Sequence, residues 1–176
     1  KAKADGLAGF EIKERGSRGL FTAREQEVYA PIFFAEPMHE YHQALGLDLW
    51  SQPTRRAAME KARDEGVSVA AKPLRSMREE EAETRLIVYL PIYGNGVPEN
   101  VAERRAQLRG FASAVFSLDR LVQVGIADLE SGIAVELFDV TAAEETPVSA
   151  RGAEDLAESE IKNALAEDLE LAGRKW

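Results

Sequence analysis

The sequence predicts an α+β fold with mostly antiparallel sheets, and three observations carry that prediction. Segments with the two-residue alternation of strands outnumber helical ones. One well-punctuated helix carries a small-residue inner face that suits close packing on a sheet. After that helix the longest strands follow one another as a meander, which places the helices on one side of an antiparallel sheet.

The elements follow in chain order. Gly9-Phe10-Glu11-Ile12-Lys13-Glu14 alternates apolar and charged residues as a half-buried strand does, and it ends in the turn cluster Arg15-Gly16-Ser17-Arg18-Gly19. Tyr29-Ala30-Pro31-Ile32-Phe33-Phe34-Ala35 is a denser apolar run closed by Glu36-Pro37, and Pro31 places it at a sheet edge or a strand start. Ala44-Leu45-Gly46-Leu47-Asp48-Leu49-Trp50 reads as a second short strand. Ser51 is positioned to cap a helix over residues 52–65 with Pro53 in its first turn, where the missing N–H costs nothing, and Gly66 to end it. Ala57, Ala58 and Ala62 form the expected inner face, with Arg56 and Glu60, and Lys61 and Glu65, as exposed pairs four apart.

Val67-Ser68-Val69-Ala70 and Pro73-Leu74 come next, then a charged, solvated connection over residues 78–83. Leu86-Ile87-Val88-Tyr89-Leu90-Pro91-Ile92-Tyr93 is the longest strand signal, and Gly94-Asn95-Gly96 turns the chain, with Pro98 extending the turn. Arg109-Gly110-Phe111-Ala112-Ser113-Ala114-Val115-Phe116 gives another strand, and Ser117 or Asp119 starts a short helix over residues 118–126. The pattern then begins again with a strand at Ile133-Ala134-Val135-Glu136-Leu137-Phe138-Asp139, an acidic linker to about residue 160, and a last strand over residues 169–176. Two units are expected, residues 1–127 and a smaller one at 128–176. The opening without methionine and the close on a strand signal read as an excised piece of a longer protein.

Composition excludes several chemistries. Without cysteine there is no disulfide framework, thiolate nucleophile or cysteine-ligated metal, so an ion would rest on His, Asp or Glu. No apolar run approaches the ~20 residues of a membrane-spanning helix, and the first ten residues lack the order of a signal peptide. The net charge of -9 is uneven, because residues 1–127 hold 18 basic and 18 acidic side chains whereas residues 128–176 hold 4 and 13. Such a surface, with no basic cluster interleaved with aromatics, argues against nucleic acid and anionic membrane surfaces as partners.

Candidate chemistry is sparse. His39 and His42 lie three apart with Glu36 and Glu40 nearby, so a helix would put both imidazoles on one face able to hold a divalent metal, and the plainer alternative is a solvated surface loop. No nucleophile-elbow spacing accompanies them, and Gly94-Asn95-Gly96 lacks the lysine and helix of a phosphate-binding loop. Asp48 is the informative carboxylate, because Asp is depleted in strands and rarely buried unpaired, yet it stands in an apolar strand. On a strand it shares a face with Gly46 and Trp50; it either accepts N–H bonds from a ligand or caps the turn at Ser51-Gln52 or pairs with Arg55 or Arg56.

The order of these signals resembles the CHASE domain family. The resemblance rests on Tyr29-x-Pro31-Ile32 with Glu36-Pro37, Gly46-x-Asp48-x-x-Ser51-x-Pro53-x-Arg55-Arg56-x-Ala58, Ala62-Arg63-Asp64-x-Gly66, Val88-Tyr89-Leu90-Pro91-Ile92-Tyr93, Glu103-Arg104-Arg105-x-x-Leu108-x-Gly110-Phe111 and Leu118-Asp119-x-Leu121. It runs from about Gly9 to Val122, and Leu171-Ala172-Gly173-Arg174-Lys175-Trp176 looks like the family's last strand. The resemblance implies tandem PAS-like domains, membrane-distal at residues 1–127 and membrane-proximal, in part, at 128–176, with the stalk helix outside this chain. It implies an extracytoplasmic small-molecule sensor, periplasmic or extracellular, of a homodimeric membrane receptor whose output is a histidine kinase or diguanylate cyclase.

In the plant cytokinin receptors of that family a distal pocket takes an adenine-type ligand, and the aspartate that accepts from the adenine aligns with Asp48. The resemblance places a backbone contact at Ala70 and pocket walls at Leu90 and Phe111, with Tyr89 and Ser113 beside them. The chain departs from those receptors in having Arg78-Glu79-Glu80 where they place a hydroxyl for the ligand tail, and Leu90 and Phe111 where they carry aromatics. The expected function is therefore sensing of a planar, purine-like molecule, with no cofactor and no bond made or broken in this chain. The alternatives are a ligand-free dimerisation module in which Asp48 is structural, and a metal-dependent hydrolase built on His39 and His42.

Overall fold

Residues 9–75, 84–127, 133–142, 147–151 and 165–176 are described by the computed structural model. The expected charged connection at residues 78–83 and most of the acidic linker lie outside the described residues. Contacts divide the chain into two units, Lys1–Met59 and Glu60–Trp176.

In the first unit the alternating segment after Gly9 becomes one arm of a hairpin. Strand β1 (Lys13–Gly16) pairs antiparallel with β2 (Gly19–Thr22), from Lys13 opposite Thr22 to Gly16 opposite Gly19. The turn cluster is thus a two-residue hairpin loop, Ser17-Arg18, and the second arm, Gly19-Leu20-Phe21-Thr22, is an element the pattern reading missed. The apolar run at residues 29–35 contributes a shorter extended piece than expected: Gly46 N–H donates to Ile32 O at 2.8 Å, Ile32 N–H to Leu47 O at 3.0 Å and Leu49 N–H to Ala30 O at 3.0 Å. On the other side, Lys13 N–H donates to Gly46 O at 2.8 Å and Asp48 N–H to Lys13 O at 2.7 Å. Residues 46–49 are therefore the middle of three extended segments, and Pro31, opposite Asp48, sits on the outer one, where a missing N–H is tolerated. Between residues 32 and 46 run a cis Glu36–Pro37 peptide, the single turn α1 (Met38–Tyr41) and a 3₁₀ turn, His42–Ala44.

Gly46 has φ +82°, and a Cβ there would lie 2.0 Å from the Glu11 carbonyl oxygen, so only glycine fits. Helix α2 (Pro53–Glu65) then begins as the proline predicts, but Gln52 occupies the cap position, since its carbonyl accepts from Arg56 N–H at 2.9 Å. Ser51 is otherwise engaged: its hydroxyl donates to Asp48 O at 2.7 Å. The buried face of α2 is Ala58, Met59 and Ala62, and Ala57 is exposed. Met59 takes the place expected of Ala57 because positions 58, 59 and 62 fall together on a 3.6-residue period.

The second unit begins inside α2. Its last turn is closed from three directions: Gly66, at φ +74°, donates its N–H to Ala62 O at 2.9 Å, the Tyr93 hydroxyl donates to Arg63 O at 2.5 Å, and Arg104 Nη1 donates to Asp64 O at 2.7 Å. Arg104 also donates to Pro98 O at 2.8 Å and Glu99 O at 3.2 Å. Beside it, Arg105 forks onto both carboxylate oxygens of Asp64, at 3.0 and 2.5 Å, and Arg63 adds a bond at 2.7 Å. The Arg105 bonds, then the Arg63 bond, hold the Asp64 carboxyl well below the usual carboxylate range against the opposing effect of burial. Burial chiefly pushes the Tyr93 hydroxyl up.

The sheet of this unit has β5 (Thr84–Tyr93) at its centre. It pairs antiparallel with β6 (Leu108–Ser117) along one edge, and with β3 (Val69–Ala70) and then β4 (Leu74–Arg75) along the other. The long meander strands are present as expected, but their connection holds a helix the pattern reading missed, α3 (Val101–Gln107), capped by Asn100 accepting from Glu103 N–H at 3.0 Å. Helix α4 (Leu118–Gly125) starts where expected, with Ser117 accepting from Arg120 N–H at 3.2 Å.

Strands β7 (Val135–Leu137) and β8 (Ser149–Arg151) pair antiparallel, and the last segment is a hairpin of β9 (Glu170–Leu171) and β10 (Arg174–Lys175) rather than one strand. Its turn, Ala172-Gly173, offers the Ala172 carbonyl to Ala70 N–H at 2.8 Å. Trp176, Leu118, Leu86 and Ala70 form a core, with Val88, Leu137, Val148 and Ala172 packed against it. A buried ion pair joins Asp139 to Arg174, and Thr141 Oγ1 accepts from Lys175 N–H at 2.7 Å. The described residues beyond 127 thus share a core with β5, and the division by contacts falls between Met59 and Glu60. All named strand pairs are antiparallel and helices flank them, which is the α+β class the sequence predicts.

Candidate functional site

Asp48 is fully buried. Two backbone constraints place it: Gly46 lets the chain pass against Glu11, and the bonds to Lys13 and Ala30 fix the extended segment on both sides. Its carboxylate lies over the neighbouring segment, where Oδ1 accepts from Ala30 N–H at 2.6 Å and from Trp50 N–H at 3.3 Å. Oδ2 accepts from Gln26 Nε2 at 2.7 Å. The bond to Trp50 N–H, two residues on, is the local turn-type contact that Asp side chains favour. Neither Arg55 nor Arg56 forms an ion pair with Asp48; its three donors are neutral amides.

Gln26 escaped the sequence reading. It stands 22 residues before Asp48 in a segment with no periodic pattern, so no local signal links the two. Its own backbone is held independently, because Gln26 N–H donates to the Tyr29 hydroxyl at 2.8 Å and that hydroxyl donates to Arg24 O at 2.9 Å.

The other candidate residues lie on the second unit's sheet, and register decides which of them meet. Tyr89 is opposite Ser113 and Pro91 opposite Phe111, so Tyr89, Phe111 and Ser113 share one face. The Tyr89 and Phe111 rings meet edge to face, with centroids 6.3 Å apart and planes at 80°. Tyr89 is buried, Phe111 half-buried and Ser113 exposed. Leu90, half exposed, and Ala70, opposite Val88, fall on the other face. Ala70 is buried, and its N–H is committed to the Ala172 carbonyl. The sheet therefore brings three of these residues together and turns the other two away from them.

His39 lies in the single turn of α1, and His42 opens the 3₁₀ turn, with Nδ1 3.2 Å from the His39 carbonyl oxygen. Both are exposed. Among the described residues no group of three His, Asp or Glu side chains is placed to hold a metal ion, and no helix is long and apolar enough to cross a membrane.

Two comparisons bear on this arrangement. A family model described as the CHASE domain matches residues 1–149. A protein of Dictyostelium discoideum named hybrid signal transduction histidine kinase A is 31% identical over 129 residues, which covers 68% of this chain and 6% of that protein. The chain thus corresponds to a small part of the length of that curated relative.

Proposed function

Because the chain belongs to the CHASE domain family, which supplies sensor domains to signalling receptors, we propose that it is the extracytoplasmic, small-molecule-sensing region of a membrane receptor. In this reading it lies on the periplasmic or extracellular side of an inner or plasma membrane. A planar, purine-like ligand bound within it regulates a cytoplasmic histidine kinase or diguanylate cyclase in a homodimeric receptor. The antiparallel sheet of β3 to β6 with its flanking helices is taken as a PAS-like module of a tandem pair. The chain binds and changes shape; bond-making belongs to the output region. Binding controls output only to the extent that the ligand distinguishes two conformations.

The family match across residues 1–149 carries this reading. Support for a site at Asp48 comes from a fully buried carboxylate in an otherwise apolar segment. The same geometry favours one other reading. Asp48 is bonded by three donors of its own chain, as a purely structural carboxylate in a ligand-free dimerisation module would be.

A thermal-shift screen with adenine derivatives, other purines, amino acids and small carboxylates, repeated on Asp48→Ala, separates the two. Ligand that binds only the folded state raises the melting temperature according to RT ln(1 + [L]/Kd). A rise that disappears in Asp48→Ala, with the variant still folded, supports the sensor pocket. A large loss of stability in that variant, with no compound shifting the parent protein, supports the structural reading.

A further inference from the structure

The carboxylates in the interior of this protein are not treated alike. Asp139, as fully buried as Asp48, is paired with Arg174. Asp64, only partly covered, has both Arg63 and Arg105. Asp48 has two backbone amides and one side-chain amide, and among the described residues no cation within ion-pair distance. All three donors to Asp48 are thus neutral amides, where Asp139 and Asp64 have guanidinium partners.

The two oxygens differ in how firmly they are occupied. Oδ1 holds both of its donors from backbone, Ala30 in the outer extended segment and Trp50 in the turn that follows the middle one. Oδ2 holds a single donor, at the end of a half-buried glutamine side chain with three rotatable bonds. That side chain can leave without opening its loop, since the Tyr29 hydroxyl ties Gln26 N–H and Arg24 O together.

We propose that Gln26 is an exchangeable, built-in occupant of the Asp48 site, and that the site selects a planar organic cation with an N–H edge, an amidine or a protonated amino-heterocycle, over its neutral counterpart. The proposal rests on the ligand-binding reading given above and narrows it to a charge class. The flat primary amide of Gln26 sets the shape of the group that replaces it. Because Oδ1 is filled, the ligand's donors go to Oδ2 alone, one in place of Gln26 and a second on the remaining lone pair. Charge-assisted bonds to a carboxylate are stronger than neutral ones, so the cation displaces the amide where an isosteric neutral molecule gains little.

Benzamidine and benzamide, alike in shape and different in charge, are the probes, with adenine as a third. Melting curves and calorimetric titrations of the full chain are compared for the parent protein, Gln26→Met and Asp48→Asn. The expected result is a benzamidine-dependent rise in melting temperature, binding of benzamide about tenfold weaker or worse, and benzamidine about tenfold tighter in Gln26→Met, where nothing has to be displaced. Asp48→Asn keeps an oxygen for Ala30 and Trp50, and its amide faces a flipped Gln26 carbonyl; it should fold and lose the preference for benzamidine. Equal binding of benzamidine and benzamide, or adenine binding without benzamidine binding, overturns the charge selection while the sensor reading stands. Unchanged affinity in Gln26→Met overturns the role of Gln26. No binding of any of the three probes to the parent protein or to Gln26→Met overturns the charge selection, and the wider thermal-shift screen decides the sensor reading separately. If Asp48→Asn does not fold, the comparison of the two probes on the parent protein and Gln26→Met decides alone.

Discussion

Gly46 and Asp48 stand two apart because a single crossing of the chain needs both. At Gly46 the backbone passes the Glu11 carbonyl with no room for a side chain, and two residues later Asp48 collects the amides that this close passage brings near it. Gly46→Ala is expected to cost about 2–4 kcal/mol, from a strained φ and a clash with backbone that cannot yield, as read by urea denaturation. Asp48→Ala strands the N–H groups of Ala30 and Trp50 and the Gln26 amide, at a cost of about 3–5 kcal/mol by the same measurement, whereas Asp48→Asn should lose far less. Asp48 was legible in the sequence as an anomaly, a charge in an apolar run, whereas the demand for glycine at residue 46 comes from the Glu11 carbonyl, far away in sequence. The partner of Asp48, Gln26, was not legible, because a hydrogen bond across 22 residues leaves no periodic trace.

Asp64 gives a pH prediction at the same scale. Its pKa is depressed in the folded state, so its contribution is present above the unfolded value, near 3.8, and is lost as pH falls below it toward the folded value. Stability should therefore decline below about pH 4, and Asp64→Asn should flatten that decline. Equal slopes for the two proteins in acid denaturation would remove Asp64 from the account.

Among the elements, α2 shows how a helix end is held. Its amino end needed only Pro53, while its carboxyl end takes Gly66, Tyr93 and Arg104 from three separate places in the sequence. Arg104→Ala, which frees the carbonyls of Asp64, Pro98 and Glu99 at once, should cost about 2–3 kcal/mol, and Arg104→Lys should recover little, because an ammonium cannot span the three acceptors as a guanidinium does. A melting-temperature series on the two variants checks this. The start and Gly66 stop of α2, the long strands β5 and β6 and the Ser117 cap of α4 were all legible, since each is fixed by neighbours in sequence. Helix α3 was legible in principle, from Asn100 and Glu103 three apart, but its seven residues bury no apolar face and so carry no helical period. The short hairpins of β1 with β2 and β9 with β10 have arms of two to four residues, too brief for alternation to declare itself.

Across the molecule, composition and contacts divide the chain differently. The excess of negative charge begins after residue 127, yet Leu137, Val148 and Trp176 from that acidic region pack with Leu86 and Leu118. Charge describes the surface of a segment, and burial describes what it packs on; only the second is set by the few apolar residues that an acidic stretch retains. Trp176→Ala should cost about 3–5 kcal/mol by removing the largest ring of that core, measured as a loss in denaturation free energy. The central position of β5 has a consequence for how the backbone exchanges its protons with solvent. In heavy water the amides of β4 and β6, each bound to the sheet on one edge only, should take up deuterium before those of β5, which should keep its hydrogens longest, so that the isotope maps the sheet from its rims inward.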